Sequence, residues 1–183
     1  AFILIPAHHY GPRKDLIEAI NSGQLLESNV SCQTHNLHNP ESDPILNRLT
    51  KHGLNNKKSD KVKVIFVPSY LNGNDGIFNK TYYDVLIGTD LTVFASYYEP
   101  WGYTPLESLA FSVPTITTSL TGFGLWVRKN YQKPSSALTI VDRDDSNFNE
   151  TVEGITNAIL NFSNFSADET ENARNSAFEL SRI

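Results

Sequence analysis

The sequence predicts an α/β fold with a mostly parallel sheet. Three observations carry that expectation. About six short apolar runs recur along the chain. Between them lie segments with helical periodicity and helix start and stop residues. Internal repeats and low-complexity stretches are absent. The 183 residues suit one domain with a real core, so a single domain over residues 1–183 is expected.

The elements follow in order. Phe2–Pro6 is continuously apolar and stops at proline, which marks a buried strand. Arg13–Ser22 reads as a helix, with Pro12 at its entry and Gly23 after its end. Val30–Gln33 is a weaker strand. Pro44–His52 is a helix with Asp43 as N-cap, Pro44 in its first position and Gly53 as its stop. Asn55–Lys61 is polar and basic and reads as a surface loop. Val62–Val67 is β-branched and apolar, the strongest strand signal in the chain. The Gly- and Asn-rich stretch Asn72–Gly76 tolerates positive φ and marks a turn. Thr81–Gly88 is a short helix, Leu91–Phe94 a strand, Pro105–Phe111 a helix and Thr115–Thr118 a strand. A short helix over Gly122–Asn130 and a strand over Ala137–Val141 come next. Two helices, Asn147–Phe162 and Ala167–Leu180, close the chain, the second with a Ser166/Glu169 capping box.

Composition excludes several classes. Hydrophobic residues make up 39% of the chain, well above the range of disordered proteins. The net charge of −5 comes without a basic stripe, which argues against nucleic acid. No apolar run approaches the roughly 20 residues of a membrane span, and no signal peptide is visible. Cys32 is the only cysteine, so an internal disulfide is excluded and a reducing, cytoplasmic setting is expected. Cys32 as a nucleophile lacks an identifiable partner base. Sequons at Asn29, Asn79, Asn149, Asn161 and Asn164 are read as chance in an Asn- and Ser-rich chain. Adjacent His8 and His9 point in different directions on an extended chain, and His35 and His38 cannot be placed beside them, so no metal site is expected. The chain begins inside a strand and contains no methionine. A piece of a larger protein is therefore expected.

In a parallel sheet, ligands bind beyond the carboxyl ends of the strands. The chemistry of this chain is densest there, in Ser96-Tyr-Tyr-Glu-Pro-Trp-Gly-Tyr-Thr-Pro-Leu-Glu107. The segment follows a strand and opens a helix. Thr104 is suited to the N-cap, Pro105 to the first helical position and Glu107 to the third. Free backbone N–H groups at such a start attract an anion, and Gly102 would let a phosphate come close. A carboxylate such as Glu99 near a bound sugar can stabilise positive charge at an anomeric carbon. Two other readings stand beside these. Glu107 closes an ordinary capping box with Thr104, and Trp101, Tyr97, Tyr98 and Tyr103 pack in the core or an interface.

The same segment resembles the Glu-x7-Glu motif of retaining glycosyltransferases with two Rossmann-like domains. The fuller string is similar to the glycogen synthases of the animal and fungal type. Asp43-Pro-Ile-Leu-Asn47, Val62-Lys-Val-Ile-Phe66 and Thr118-Ser-Leu-Thr-Gly-Phe-Gly124 agree with that family, and the match runs from about residue 30 to residue 127. Leu71–Lys80 looks more like bacterial members.

The resemblance implies a Rossmann-like domain, the C-terminal half of a two-domain GT-B glycosyltransferase. It implies transfer of glucose from UDP-glucose to an α-1,4-glucan with retention, without metal or cofactor. Glu99 would be the catalytic residue at the donor glucose. Glu107 would bind the ribose, the turn Gly102, Tyr103 and Thr104 would meet the diphosphate largely through backbone N–H groups, and Trp101 would be a further donor-binding residue. Tyr82 and Tyr70 would enclose the uracil. The N-terminal domain of the same protein would be a partner, and a homo-oligomer is left open. Two departures matter. The family's phosphate-clamping Arg and Lys lie upstream of the matched stretch, so this chain alone is expected to be inactive. The family's arginine-rich helix is represented by Glu169–Ile183, with only Arg174 and Arg182, which argues against activation by glucose 6-phosphate. The competing readings are a non-catalytic nucleotide- or glucan-binding module, or a retaining glycosyltransferase with another donor or a small acceptor.

Overall fold

The computed structural model describes residues 1–23, 32–131 and 135–182. They pack as two compact units, Ala1–Tyr82 and Tyr83–Ile183.

The first unit holds β1 (Phe2–Leu4), β2 (His9–Pro12), α1 (Lys14–Ser22), β3 (His35–Leu37), α2 (Pro44–Lys51) and β4 (Ile65–Val67). Strands β1 and β4 pair in parallel, Phe2 opposite Ile65 and Leu4 opposite Val67. Gln33 makes a single parallel bridge to Phe66. Phe66 and Val67 are fully buried, and Cys32, Leu49 and Val64 form a core cluster with Ile3, Ile45 and Leu54. Helix α2 starts as its residues dictate: the Asp43 carboxylate accepts from the N–H groups of Ile45 and Leu46, both at 2.9 Å. Helix α1 ends on Gly23 in the left-handed conformation.

Three expectations for this unit change. Of the Val30–Gln33 strand, residues 30 and 31 lie outside the described residues, its end makes the parallel Gln33–Phe66 bridge, and a further strand lies at His35–Leu37. Its partner, β2, pairs antiparallel with it. His-Tyr-Gly-Pro has no β signature of its own, and the pairing is supplied by the neighbouring strand. The predicted strand Val62–Val67 shortens to Ile65–Val67. The Asn56 side chain takes both backbone groups of Val64, accepting from its N–H at 2.8 Å and donating to its carbonyl at 2.7 Å, so that residue has none left for a ladder.

The second unit carries a three-stranded parallel sheet in the order β5 (Thr92–Phe94), β6 (Thr115–Thr118), β7 (Leu138–Val141). Its helices are α4 (Tyr103–Ala110), α5 (Gly122–Asn130), α6 (Phe148–Ser163) and α7 (Ala167–Leu180), while α3 (Tyr82–Ile87) begins at the boundary. Central strand β6 is buried throughout although three of its four residues are threonine. Each hydroxyl is satisfied: Thr115 donates to the Val113 carbonyl at 3.0 Å, Thr117 to Phe94 at 3.4 Å and Thr118 to Ser96 at 2.7 Å. Leu109, Phe123, Val127, Ala137, Ala177 and Leu180 form the core. The capping box of α7 is present as predicted, with both halves formed between Ser166 and Glu169. Arg174 ties that helix down, donating to the carbonyls of Thr89 at 2.6 Å and Ser112 at 3.3 Å. No described helix is long and apolar enough to cross a membrane.

Candidate functional site

In the second unit the carboxyl ends of β5, β6 and β7 bring together residues 95–102, 119–121 and 142–147. The stretch from Glu99 to Gly102 lies against the turn that follows β6. The Glu99 N–H donates to the Leu120 carbonyl at 3.1 Å, and the Glu99 carbonyl accepts from the Gly122 N–H at 3.2 Å. The Trp101 carbonyl accepts from the Phe123 N–H at 2.7 Å. One glycine makes this approach achievable and another makes the turn itself achievable. A Cβ on Gly122 would stand 2.2 Å from the Pro100 carbonyl oxygen, and one on Gly124 would stand 2.7 Å from the Thr118 carbonyl oxygen. Thr121 completes the turn: its hydroxyl donates to the Thr118 carbonyl at 3.0 Å and accepts from the Gly124 N–H at 3.0 Å, capping α5. Sequence reasoning used Thr118–Gly124 only as part of a resemblance and missed its structural task. The signal was its paired glycines after a strand.

Helix α4 begins two residues earlier than its sequence suggests, at Tyr103 rather than Pro105, and this corrects the capping assignment. Gly102, not Thr104, is the N-cap, with φ of 93° and no side-chain cap. Thr104 is the second helical residue and Pro105 the third. The positive φ explains the shift, because it lets the chain turn into the helix at the glycine. A Cβ there would also crowd Glu99 Cγ at 3.3 Å and Thr121 Cβ at 3.4 Å. Glu107 consequently falls on the fifth helical residue, and its carboxylate accepts from the Tyr83 hydroxyl at 3.3 Å. That carboxylate pushes the Tyr83 phenol above its ordinary value, chiefly by its charge. The Tyr83 ring stacks on Phe111 at 5.0 Å.

The remaining predicted residues divide clearly. Glu99, Tyr103 and Thr104 are exposed at the helix start. Gly102 is buried, and Trp101 turns its ring inward against Phe123 and Trp126, 6.1 and 6.4 Å between ring centres. Tyr97, also exposed, donates its hydroxyl to Asp145, with the Arg143 guanidinium 5.0 Å from its ring centre. Arg143 in turn donates to the Ala95 carbonyl at 2.8 Å, linking the loops after β5 and β7. Sequence reasoning did not single out Arg143. Arg174 and Arg182 are both engaged, the first as described and the second with Glu179 at 3.7 Å and over the Phe178 ring.

Tyr70 and Tyr82 belong to the first unit. Tyr70 is 76% exposed, on the loop after β4, and Tyr82 is half-buried where α3 begins. Tyr70 lines a cavity of about 430 Å³ with His8, His9, Ser69, Asn72 and Asn74, at the carboxyl ends of β1 and β4. A larger cavity of about 680 Å³, in the second unit, opens at the amino ends of β5–β7 beside Thr115, Ser135 and Asn157, away from every predicted site residue.

Pairing of β2 with β3 gathers the four histidines that sequence could not place together. His8 stacks with His38 at 6.0 Å, and His9 lies 4.5 Å from His35. Among the described residues no three His, Cys, Asp or Glu side chains are grouped so as to hold a metal ion. His9 accepts from the Gly11 N–H at 3.1 Å through Nδ1. Burial first, then the neighbouring His35 and His38, lowers its pKa below the ordinary 6.5. The fold therefore favours neutral His9. That contribution is complete above 6.5 and is lost as pH falls through the depressed value. The melting temperature of the chain is expected to drop as pH falls below 6.5, and His9→Gln is expected to flatten that slope. A slope unchanged by the substitution would assign it to other groups.

A family model described as glycogen synthase matches residues 17–183. The chain is 40% identical over 151 residues to the glycogen [starch] synthase of Neurospora crassa, covering 82% of this chain and 21% of the relative. It is 40% identical over 153 residues to isoform 1 from Saccharomyces cerevisiae, covering 82% and 22%. The liver enzyme of Mus musculus is 36% identical over 151 residues, covering 82% and 21%. The chain thus spans about a fifth of the length of the curated relatives it matches.

Proposed function

The chain belongs to the glycogen synthase family, and on that premise we propose that it is the donor-binding domain of a retaining glucosyltransferase. The reaction is transfer of glucose from UDP-glucose to an α-1,4-glucan, in a cytoplasmic enzyme completed by an N-terminal domain. Neither metal nor cofactor takes part in this reading. The observation that carries it is the start of α4. A glycine cap with positive φ and no side-chain partner leaves the first N–H groups for a ligand, and the exposed Glu99 stands just before them.

Each residue then has a role. The N–H groups of Gly102, Tyr103 and Thr104 receive the diphosphate, favoured by the helix dipole. Trp101 contributes through its backbone, since its ring is committed to the core. The Glu99 carboxylate offsets positive charge as the glucose–phosphate bond breaks. Glu107 accepts hydroxyl hydrogen bonds from the ribose, and the Tyr83 hydroxyl holds it in place. Tyr70 and Tyr82 are the walls that take the uracil ring.

Calorimetry of this chain with UDP and ADP tests the nucleotide assignment, with UDP expected to bind weakly and ADP more weakly. Glu107→Gln is expected to weaken UDP binding about tenfold, the scale of a hydrogen bond to a charged group. Equal affinity for the two nucleotides would move the family assignment towards another donor. No binding of either, together with glucan binding, would favour a non-catalytic module. Glucosyl transfer by the isolated chain is expected to be undetectable, because the cationic partners of the leaving diphosphate are not supplied by the residues named here.

A further inference from the structure

The loop Leu71–Lys80 separates the two tyrosines assigned to the base, and its hydrogen bonds divide it into a neck and a tip. At the neck, the Tyr82 N–H donates to the Leu71 carbonyl at 2.9 Å and the Gly73 N–H to the Lys80 carbonyl at 3.2 Å. Asn72 and Thr81 form an antiparallel bridge. Tyr70 and Tyr82 therefore leave the neck on opposite strands, one on each side. At the tip, the buried Asp75 carboxylate gathers three backbone N–H groups, those of Ile77, Phe78 and Asn79, at 3.0, 2.8 and 2.8 Å. Asn79 accepts from the Gly76 N–H at 2.9 Å. The tip is thus a self-braced knot, and a knot moves as one piece.

The β2–β3 ribbon, with Phe2 of β1, fastens the knot to the rest of the unit. The His35 imidazole, fully buried on β3, stands with Nε2 2.9 Å from the Asp75 carbonyl oxygen. A carbonyl oxygen only accepts, so Nε2 carries the proton. Nδ1 lies 2.8 Å from the Thr34 hydroxyl oxygen, which is itself 3.3 Å from the Phe66 carbonyl oxygen, so both ring nitrogens are engaged. From β2, Pro12 presses on Gly76 so closely that a Cβ there would meet Pro12 Cγ at 2.8 Å. The Phe2 and Phe78 rings meet edge to face at 5.9 Å. Of these contacts only the His35 bond is directional.

We propose that His35 is a positioning residue for the nucleotide: it pins the loop by its tip and thereby fixes the separation of Tyr70 and Tyr82 at the neck. It touches no ligand itself. This rests on the reading of those tyrosines as the walls of the base pocket. The separation selects for a ring of one size, so loss of the pin relaxes the preference for a pyrimidine over the larger purine base.

Two near-isosteric replacements separate the proposal from a merely structural role. His35→Gln places an amide donor where Nε2 stood, and His35→Asn places it where Nδ1 stood. The chain carrying each is compared for the ratio of UDP to ADP affinity by calorimetry, and for hydrogen exchange at Ile77, Phe78 and Asn79. His35→Gln is expected to keep both within about threefold. His35→Asn is expected to lower the UDP preference about tenfold and to speed exchange at the tip, as loss of a buried hydrogen bond implies. Identical behaviour of the two variants, or unchanged exchange and selectivity in His35→Asn, overturns the proposal. If circular dichroism finds His35→Asn unfolded, Gly76→Ala replaces it, since its methyl group must push the tip off Pro12 with His35 intact. Unchanged selectivity and exchange there overturn the proposal equally. If the unsubstituted chain shows no UDP preference, the nucleotide reading fails, while the exchange arm still decides whether His35 pins the loop.

Discussion

Under the proposed function, replacing Glu99 by alanine in the full-length protein is expected to lower turnover about 10²–10³-fold, the usual scale for removing one preorganised electrostatic group. UDP affinity is expected to survive. The separation of effects follows from how Glu99 is held. Its backbone is pinned on both sides, by Leu120 and Gly122, while its carboxylate is exposed and engages no described residue. Truncating the side chain thus leaves the turn in place and removes only the charge. Steady-state kinetics with UDP-glucose and glucan, paired with UDP calorimetry, checks both halves. Unchanged turnover would remove Glu99 from the mechanism; loss of UDP binding as well would make it a binding residue. Glu99→Gln is expected to behave like alanine, because the amide retains shape without charge.

Gly122→Ala is expected to be the most damaging small substitution near the site, costing about 3 kcal/mol or more in stability. Two effects compete. Alanine is a better helix former than glycine by roughly 1 kcal/mol, and Gly122 is the first residue of α5. Against that, the new methyl group would lie 2.2 Å from the Pro100 carbonyl oxygen and 3.2 Å from Trp101 Cα. Both neighbours are backbone, so neither can swing away, and the clash outweighs the helical gain. Relief requires the Pro100–Trp101 segment to lift, which carries Glu99 with it. Denaturant unfolding and activity should therefore fall together. A stable variant with normal turnover would mean that the segment is not seated on the turn as described.

Much of the second unit was legible from sequence because its signals are local. Strand β6 and helices α5 and α7 fall on their predicted residues, and the Ser166/Glu169 box is where its spacing placed it. Thr104 misled for an instructive reason. Thr-Pro-x-Glu is a sound helix start by itself, but Gly102 can adopt a positive φ and opens the helix one residue before the threonine. Strands β2 and β3 were illegible because neither carries a pattern of its own; their pairing is a long-range event. The same pairing brings His35 to Asp75, forty residues away, which no motif of either stretch announces. Likewise Arg143 acts on a carbonyl 48 positions upstream. Residues proposed to carry charge towards a ligand stood out in the sequence, whereas those that hold such residues still did not.

The threonine-rich strand β6 has one more consequence. A valine in place of Thr118 would fill the same space in the core, yet only the hydroxyl reaches the Ser96 carbonyl, three residues before Glu99. Side chains buried in the middle of the sheet thus fasten the edge where a sugar would dock. The loop is paid for in advance, during folding rather than during binding. For the proposed donor, what would be left to order at Glu99 is one side chain, about 1–2 kcal/mol of rotamer entropy, instead of a whole peptide segment at a comparable cost for every residue.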